Sequence, residues 1–150
     1  MIGLILFFVV SLLICIAVYR SSQENKRFKE AYDTFLEENE GSEFFCYTNR
    51  ERFCSFIEEK LIPNLEDDIF IVKLEGKVPK SEFDEKFMSY SLSRLSNVGF
   101  PNVMKIVNGQ FIDHSIHNEI YNAINNEKFN ELQTIVQEAL LKIRGDRKNA

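Results

Sequence analysis

The segment from Gly99 to Asp113, GFPNVMKIVNGQFID, constrains the fold of this chain more than any other. It contains a proline, an apolar run, the dipeptide Asn108-Gly109 and a second apolar run. Asn-Gly between apolar runs is a strong signal for a β-hairpin with a two-residue turn, because both turn residues then have positive φ. Proline cannot donate to a sheet and is tolerated where a strand begins. The segment therefore predicts two antiparallel strands that follow Pro101.

The residues after position 42 predict a strand that passes directly into a helix. EFFCY, from Glu43 to Tyr47, is short, aromatic and strand-like. Thr48 with Glu51 three residues later matches a capping box, in which the Thr hydroxyl accepts from the backbone of the first helical turn. We expect the helix to continue as far as Pro63.

The rest of the chain predicts a second strand and further helices. The run Ile69–Leu74 is almost continuously apolar, as expected of a strand covered on both faces. Ser81 is the expected N-cap of the next helix. Apolar residues after the hairpin recur at helical spacing in two segments up to Ile143, which predicts helical packing against the sheet. The sequence therefore indicates an α/β fold.

This order of elements resembles the thioredoxin-like superfamily, and VGFPNVMKIVNGQFID resembles its segment of cis proline, strand, turn and last strand. The resemblance spans about residues 42–144 and implies a three-layer sandwich with a cis bond between Phe100 and Pro101. It also implies that the proline loop lies beside the start of the first helix of the domain. The binding groove implied there consists of Thr48, Asn49, Arg50, Arg52, Phe100 and Pro101.

The reactive cysteine pair of that superfamily is absent. Its first strand is followed by Cys-x-x-Cys at a helix start, where the helix dipole stabilises a thiolate. The corresponding stretch here, Asn49 to Phe53, contains no cysteine. Cys46 and Cys54 flank the stretch, and both are expected to be small buried residues. Two alternatives remain open, a lone reactive thiol at Cys54 and a bridge between Cys46 and Cys54.

The first 19 residues carry no charged side chain and predict a transmembrane anchor, because such a helix nearly crosses a hydrocarbon core of roughly 30 Å. A cleaved signal or a lipoprotein signal ending at Cys15 is the alternative. Arg20 and three further basic residues follow within ten positions, which favours a cytoplasmic domain, although relatives of this fold often work outside the cytoplasm. The predicted organisation is an anchor over 1–19, a juxtamembrane helix over 20–41, the domain over 42–144 and a tail over 145–150.

Composition excludes several functions. The net charge of −5 lies outside the first 19 residues, and an acidic domain without a basic stripe is a poor nucleic-acid binder. Asp113, His114 and His117 are the only clustered candidate metal ligands, and they are more typical of surface or capping residues, so we expect no metal. No Gly-rich phosphate loop or nucleophile motif is present, and we expect no cofactor.

Three hypotheses of function follow. The first is a membrane-anchored thioredoxin-like domain without dithiol chemistry that binds or assembles with a protein partner through the groove beside Pro101. The second is a thiol-disulfide oxidoreductase that uses Cys54 alone or with Cys46. The third is a structural role in which the N-terminal segment and the C-terminal helix join a membrane complex.

Overall fold

A computed structural model describes residues 2–96 and 99–145 of the chain, and the side chains of residues 2–6, 8, 9, 51 and 52 are not described. The chain divides into two units, Met1–Glu38 and Asn39–Ala150. The predicted tail lies outside the described residues from position 146 onward.

The first unit is a single helix, α1, from Ile2 to Glu38. The apolar run occupies only part of this helix, and charged residues follow from Arg20. Within the described part of the chain, no helix is sufficiently long and apolar to span a membrane. The predictions of a transmembrane anchor over 1–19 and of a single-pass membrane location are therefore wrong. The predicted cytoplasmic side of the membrane depended on that anchor and is withdrawn with it.

The second unit is a mixed α/β fold with a five-stranded sheet in the order β3-β2-β1-β4-β5. The strands are β1 (Glu43–Thr48), β2 (Ile69–Glu75), β3 (Val78–Lys80), β4 (Asn102–Val107) and β5 (Gln110–Ser115). β1 and β2 are parallel, and the other neighbouring pairs are antiparallel. A parallel pair needs a crossover connection, and the helical segment after β1 supplies it.

The helices of the second unit are α2 (Glu51–Phe56), α3 (Glu85–Leu92), α4 (His117–Asn125) and α5 (Leu132–Gly145). After α2 the chain continues as a π-helical turn, Ile57–Leu61, and a 3₁₀ turn, Ile62–Asn64. A second 3₁₀ turn, Phe129–Glu131, precedes α5. The predicted helix up to Pro63 is therefore present, but three kinds of helical turn build it.

The predicted hairpin is confirmed. Asn108 and Gly109 have φ of 53° and 67°, as a two-residue turn between β4 and β5 requires. The carboxylate of Glu40 accepts hydrogen bonds from the backbone N–H groups of both turn residues, at 2.8 and 3.1 Å. These bonds hold the tip of the hairpin against the start of the unit.

The main hydrophobic core lies on one face of the sheet. Phe45 and Tyr47 of β1 point to this face, because alternate residues of a strand share a side. The helices after β1 and β5 cover it. Their fully buried contributors are Ile57, Leu61, Ile120, Leu132, Val136 and Leu140.

The opposite face is covered by aromatic residues. Phe44 of β1 points to this face, and its ring lies 5.6 Å from Phe70, 5.5 Å from Phe83 and 5.3 Å from Phe111. Phe83 directly precedes the N-cap of α3, so this face is buried beneath the segment that leads into that helix. β1 is therefore buried on both faces, whereas β2, predicted to be covered on both faces, is buried only in part.

Two predicted helix starts are wrong. The N-cap of α3 is Asp84, whose carboxylate accepts from the backbone of Lys86 and Phe87, and Ser81 lies outside the helix. The N-cap of α2 is Arg50, with no side-chain capping bond, so Thr48 is not the N-cap of the predicted capping box. Thr48 is instead the last residue of β1, because its N-terminal neighbours pair with β2 up to that position.

Candidate functional site

The register of three strands brings Thr48, Phe100 and His117 together at one end of the sheet. Cys46 pairs with Asn102 across β1 and β4, and Asn102 pairs with Ser115 across β4 and β5. Thr48 ends β1, Phe100 lies just before β4 and His117 lies just after β5, and beyond the last paired residues the N–H of Ile116 donates to the Pro101 carbonyl at 3.0 Å. This is the carboxyl end of β1, and crevices outside the carboxyl ends of such strands are where open α/β sheets bind ligands.

A cleft of about 290 Å³ opens at this end of the sheet. Its described lining consists of Thr48, Arg50, Gly99, Phe100 and His117. We call it the Phe100 cleft. Three of these five residues, Thr48, Arg50 and Phe100, belong to the groove predicted from sequence.

Because Thr48 does not cap α2, its side chain is available to the cleft. Its side chain is half-buried, and within the described part of the chain its hydroxyl makes no hydrogen bond. Arg50 is exposed, and among the described residues its guanidinium has no hydrogen-bond or ion-pair partner. The backbone carbonyl of Arg50 accepts from Phe53 and Cys54, which fixes the position of Arg50 at the start of α2. The cleft thus holds a cation and a hydroxyl that no described residue binds.

The two lining residues outside the predicted groove are Gly99 and His117, and His117 is the one with a titratable side chain. Its ring Nδ1 lies 2.5 Å from the carbonyl oxygen of Phe100. A carbonyl oxygen only accepts, so Nδ1 carries a proton and donates it. In the neutral ring, Nε2 is then a hydrogen-bond acceptor, and it has no partner among the residues that the structure describes.

Ring contacts with Tyr121 hold the His117 ring in place. The centroid of the Tyr121 ring lies 4.3 Å from that of His117 and 4.1 Å from that of Phe53, with both pairs of rings tilted. Phe53 belongs to α2, whereas His117 and Tyr121 are one turn apart in α4. These ring contacts therefore connect α2 with α4.

The other predicted groove residues have backbone roles or are not described. Asn49 is exposed and donates its backbone N–H to Leu74 at 3.0 Å, which directs the chain from β1 towards α2. Pro101 is buried, its bond to Phe100 is cis as the resemblance implied, and its carbonyl accepts from Ile116 at 3.0 Å. The side chain of Arg52 lies outside the described residues.

Comparison with known proteins found no match: no family model, curated protein or solved structure is significantly similar to this chain.

Neither cysteine of the second unit lines the Phe100 cleft. Cys46 is fully buried, and burial raises the pKa of its thiol well above the ordinary value. Its neighbours Phe45 and Tyr47 point to the main core, so Cys46 points to the opposite face of the sheet. Cys54 packs against the main core, and both thiols are free. The predicted bridge between Cys46 and Cys54 is absent from the structure.

Cys54 belongs to a polar cluster centred on Glu58. The Glu58 carboxylate accepts from the Tyr47 hydroxyl at 2.8 Å and from Lys73 Nζ at 2.7 Å. Partial burial and a hydrogen bond to Glu58 raise the pKa of Cys54. A reactive thiol needs a lowered pKa, so this environment opposes nucleophilic chemistry at Cys54.

The candidate metal ligands do not converge. Asp113 accepts from Ser96 and Asn102, His114 Nε2 lies 3.4 Å from Lys142 Nζ, and His117 faces the Phe100 cleft. Within residues 2–96 and 99–145, no group of three or more potential ligands is arranged to hold a metal ion.

Proposed function

We propose that residues 42–144 form a thioredoxin-like domain without the Cys-x-x-Cys motif, which acts as a protein-binding or assembly module through the Phe100 cleft. Two features support the fold assignment. Parallel β1 and β2 are followed by an antiparallel β4-β5 hairpin on the other side of β1, and a cis Phe100–Pro101 bond leads into β4.

The single observation that carries the binding function is the set of open polar groups in the cleft. Thr48 ends β1, Arg50 is the N-cap of α2 and His117 begins α4, yet all three line one cleft. Concave sites with a few convergent polar groups are the usual locations of binding. The raised pKa of both nearby thiols argues for binding rather than thiol-disulfide exchange.

Site-specific photocrosslinking tests this proposal. A benzoylphenylalanine at Asn49 lies beside the cleft on an exposed position, and one at exposed Lys77, in the turn between β2 and β3, is the control. We expect a discrete crosslinked product in cells from position 49 and not from position 77. Thr48→Trp fills the cleft mouth and is expected to abolish that product.

Two results contradict the proposal. One is the absence of any product from position 49, and the other is a product that persists unchanged in Thr48→Trp. Thermal unfolding of the Thr48→Trp chain must show that the fold is kept, because only then does the loss of crosslinking report on the cleft. If it unfolds, Thr48→Phe provides a smaller filling side chain for the same comparison.

A further inference from the structure

We propose that the Phe100 cleft recognises an acidic residue in an extended segment of the partner protein. In this arrangement Arg50 pairs with the side-chain carboxylate, and His117 Nε2 accepts the main-chain N–H of the bound segment. The inference rests on the proposed binding function and adds the chemistry of the ligand.

The charge of the lining favours a carboxylate. Acidic residues outnumber basic ones in this chain, 23 to 18, and the net charge is −5. The described lining of the cleft nevertheless includes Arg50 and no carboxylate. A guanidinium offers paired N–H donors that match the two oxygens of a carboxylate. The Thr48 hydroxyl, on the same wall, can donate to one of those oxygens.

His117 makes the site selective for a ligand that also donates. Because Nδ1–H is bound to the Phe100 carbonyl, the neutral ring presents only an acceptor, Nε2, to the cleft. An ionised carboxylate alone has no proton for this acceptor. An acidic residue within a polypeptide has both groups, a carboxylate on its side chain and an N–H on its main chain.

The dimensions of the cleft agree with a side chain of this size. About 290 Å³ accommodates one or two side chains but not a folded element. A polyanion such as a nucleic acid is disfavoured, since one cation in the described lining cannot offset repulsion by a domain of net negative charge. The occupant that fits is a single acidic residue of an extended segment.

The test uses a phage-displayed library of random 12-residue peptides, selected on the immobilised full chain. We expect the selected peptides to share one Asp or Glu position. A synthetic peptide of the selected sequence and its Glu→Gln or Asp→Asn analogue are then titrated against the full chain by fluorescence polarisation. The acidic peptide should bind at least about tenfold more tightly, as expected for a charge-assisted bidentate pair.

Three variants assign the contacts. Arg50→Gln should remove the preference for the acidic peptide, whereas Lys77→Gln, which removes one positive charge elsewhere, should keep it. His117→Asn retains a donor near the Nδ1 position and removes Nε2, so it should weaken the acidic and amide peptides by the same factor. His117→Gln retains a polar group near Nε2 and should weaken both peptides less than His117→Asn.

The failure of this inference is distinguishable from the failure of the proposed function. Peptides that bind wild type but not Thr48→Trp, and show no acidic preference, overturn the inference and leave the binding function in place. An acidic preference that survives in Arg50→Gln also overturns it. Peptide binding that is unchanged in Thr48→Trp contradicts the use of the cleft altogether, and the inference falls with the function.

Discussion

Arg144, in the last turn of α5, donates to both carboxylate oxygens of Glu43 at the start of β1. Arg144 Nε lies 2.9 Å from each oxygen and Nη2 lies 2.6 Å from Oε2. Lys105 of β4 donates to the same carboxylate at 2.5 Å, and only 6% of Lys105 and 8% of Glu43 are exposed. The Glu43 carboxylate of β1 thus connects this strand with β4 and with α5.

Removing the charge of Glu43 should destabilise the fold strongly. Glu43→Gln leaves Lys105 buried without its carboxylate, and breaking one side of a buried ion pair costs about 3 kcal/mol or more. Urea denaturation of the full chain, monitored by circular dichroism, measures the loss. Glu85→Gln, which breaks the exposed pair of Lys80 and Glu85, is the matched control and should lose less than about 1 kcal/mol. Equal losses in the two variants would contradict the assignment of Glu43 as a structural anchor.

The same carboxylate should make stability depend on acidity. Burial alone would raise the pKa of Glu43, but hydrogen bonds from Arg144 and Lys105 outweigh it and hold the pKa below the ordinary value of 4.5. The unfolded chain therefore takes up this proton at a higher pH than the folded chain. The ionised Glu43 carboxylate therefore stabilises the folded chain at pH values above its ordinary pKa of 4.5. This contribution to the free energy of unfolding is lost as the pH falls below that value.

Urea midpoints at pH about 7 and about 3.5 test this sign, because a lowered carboxyl pKa stabilises only the ionised protein. The difference in stability between wild type and Glu43→Gln should shrink at the lower pH. A difference that stays constant would show that Glu43 acts through packing rather than through its charge.

The two thiols of the second unit should react slowly with alkylating reagents. Burial raises the pKa of Cys46, and partial burial and Glu58 raise that of Cys54, so both are mainly protonated at neutral pH. Exposed Cys15 is the internal reference and should react first. Glu58→Gln removes the negative charge beside Cys54 and should accelerate alkylation of Cys54 alone.

Mass spectrometry of timed digests after iodoacetamide treatment distinguishes the three sites. Reaction of Cys46 should wait for unfolding, since Cys46 is fully buried. Rapid labelling of Cys54, with an apparent pKa below about 8.5, would instead support the oxidoreductase hypothesis.

A methyl group at Gly99 should disturb the wall of the cleft. A Cβ at this position would lie 2.5 Å from Ser115 Oγ and 3.3 Å from His117 Cβ. Gly99→Ala is therefore expected to lose about 1–3 kcal/mol of stability, as in other overpacked sites. In a Ser115→Ala background the closest contact is gone, and the same substitution should cost less than about 1 kcal/mol. If the cost is equal in both backgrounds, the contact with Ser115 Oγ is not the cause.

The strongest sequence signals predicted the central strands of the fold. Asn108-Gly109 predicted the hairpin because few residues other than Asn and Gly adopt positive φ, and the structure has them at 53° and 67°. The apolar run Ile69–Leu74 predicted a strand covered on both faces, and its neighbours β1 and β3 place it inside the sheet. These features depend on local conformation or on burial, which sequence patterns report directly.

Local structure was predicted wrongly or not at all where a segment can adopt more than one conformation or carries too short a pattern. Thr48 can cap a helix or extend a strand, and pairing with β2 up to Leu74 decided for the strand. β3 is a three-residue strand that contains Pro79, too short for an alternating pattern. The uncharged first 19 residues predicted an anchor, but the helix they form continues to Glu38 through charged residues.

The place of His117 could have been found from sequence. A two-residue turn at Asn108 and Gly109 fixes the pairing of β4 and β5, and the same register continued outward brings His117 opposite Phe100. Its sequence neighbours Asp113 and His114 suggested only a metal ligand or a surface or capping residue, because they lie along the chain rather than across the hairpin. The bond from Nδ1 to the Phe100 carbonyl depends on side-chain geometry and could not have been predicted.

The alternation of side chains along β1 separates Cys46 from Cys54 by the thickness of the sheet. A disulfide needs Cβ atoms about 3.5–4.5 Å apart and facing each other, and a strand between them prevents that approach without unfolding. An oxidising compartment therefore does not join these two thiols to each other while the unit stays folded.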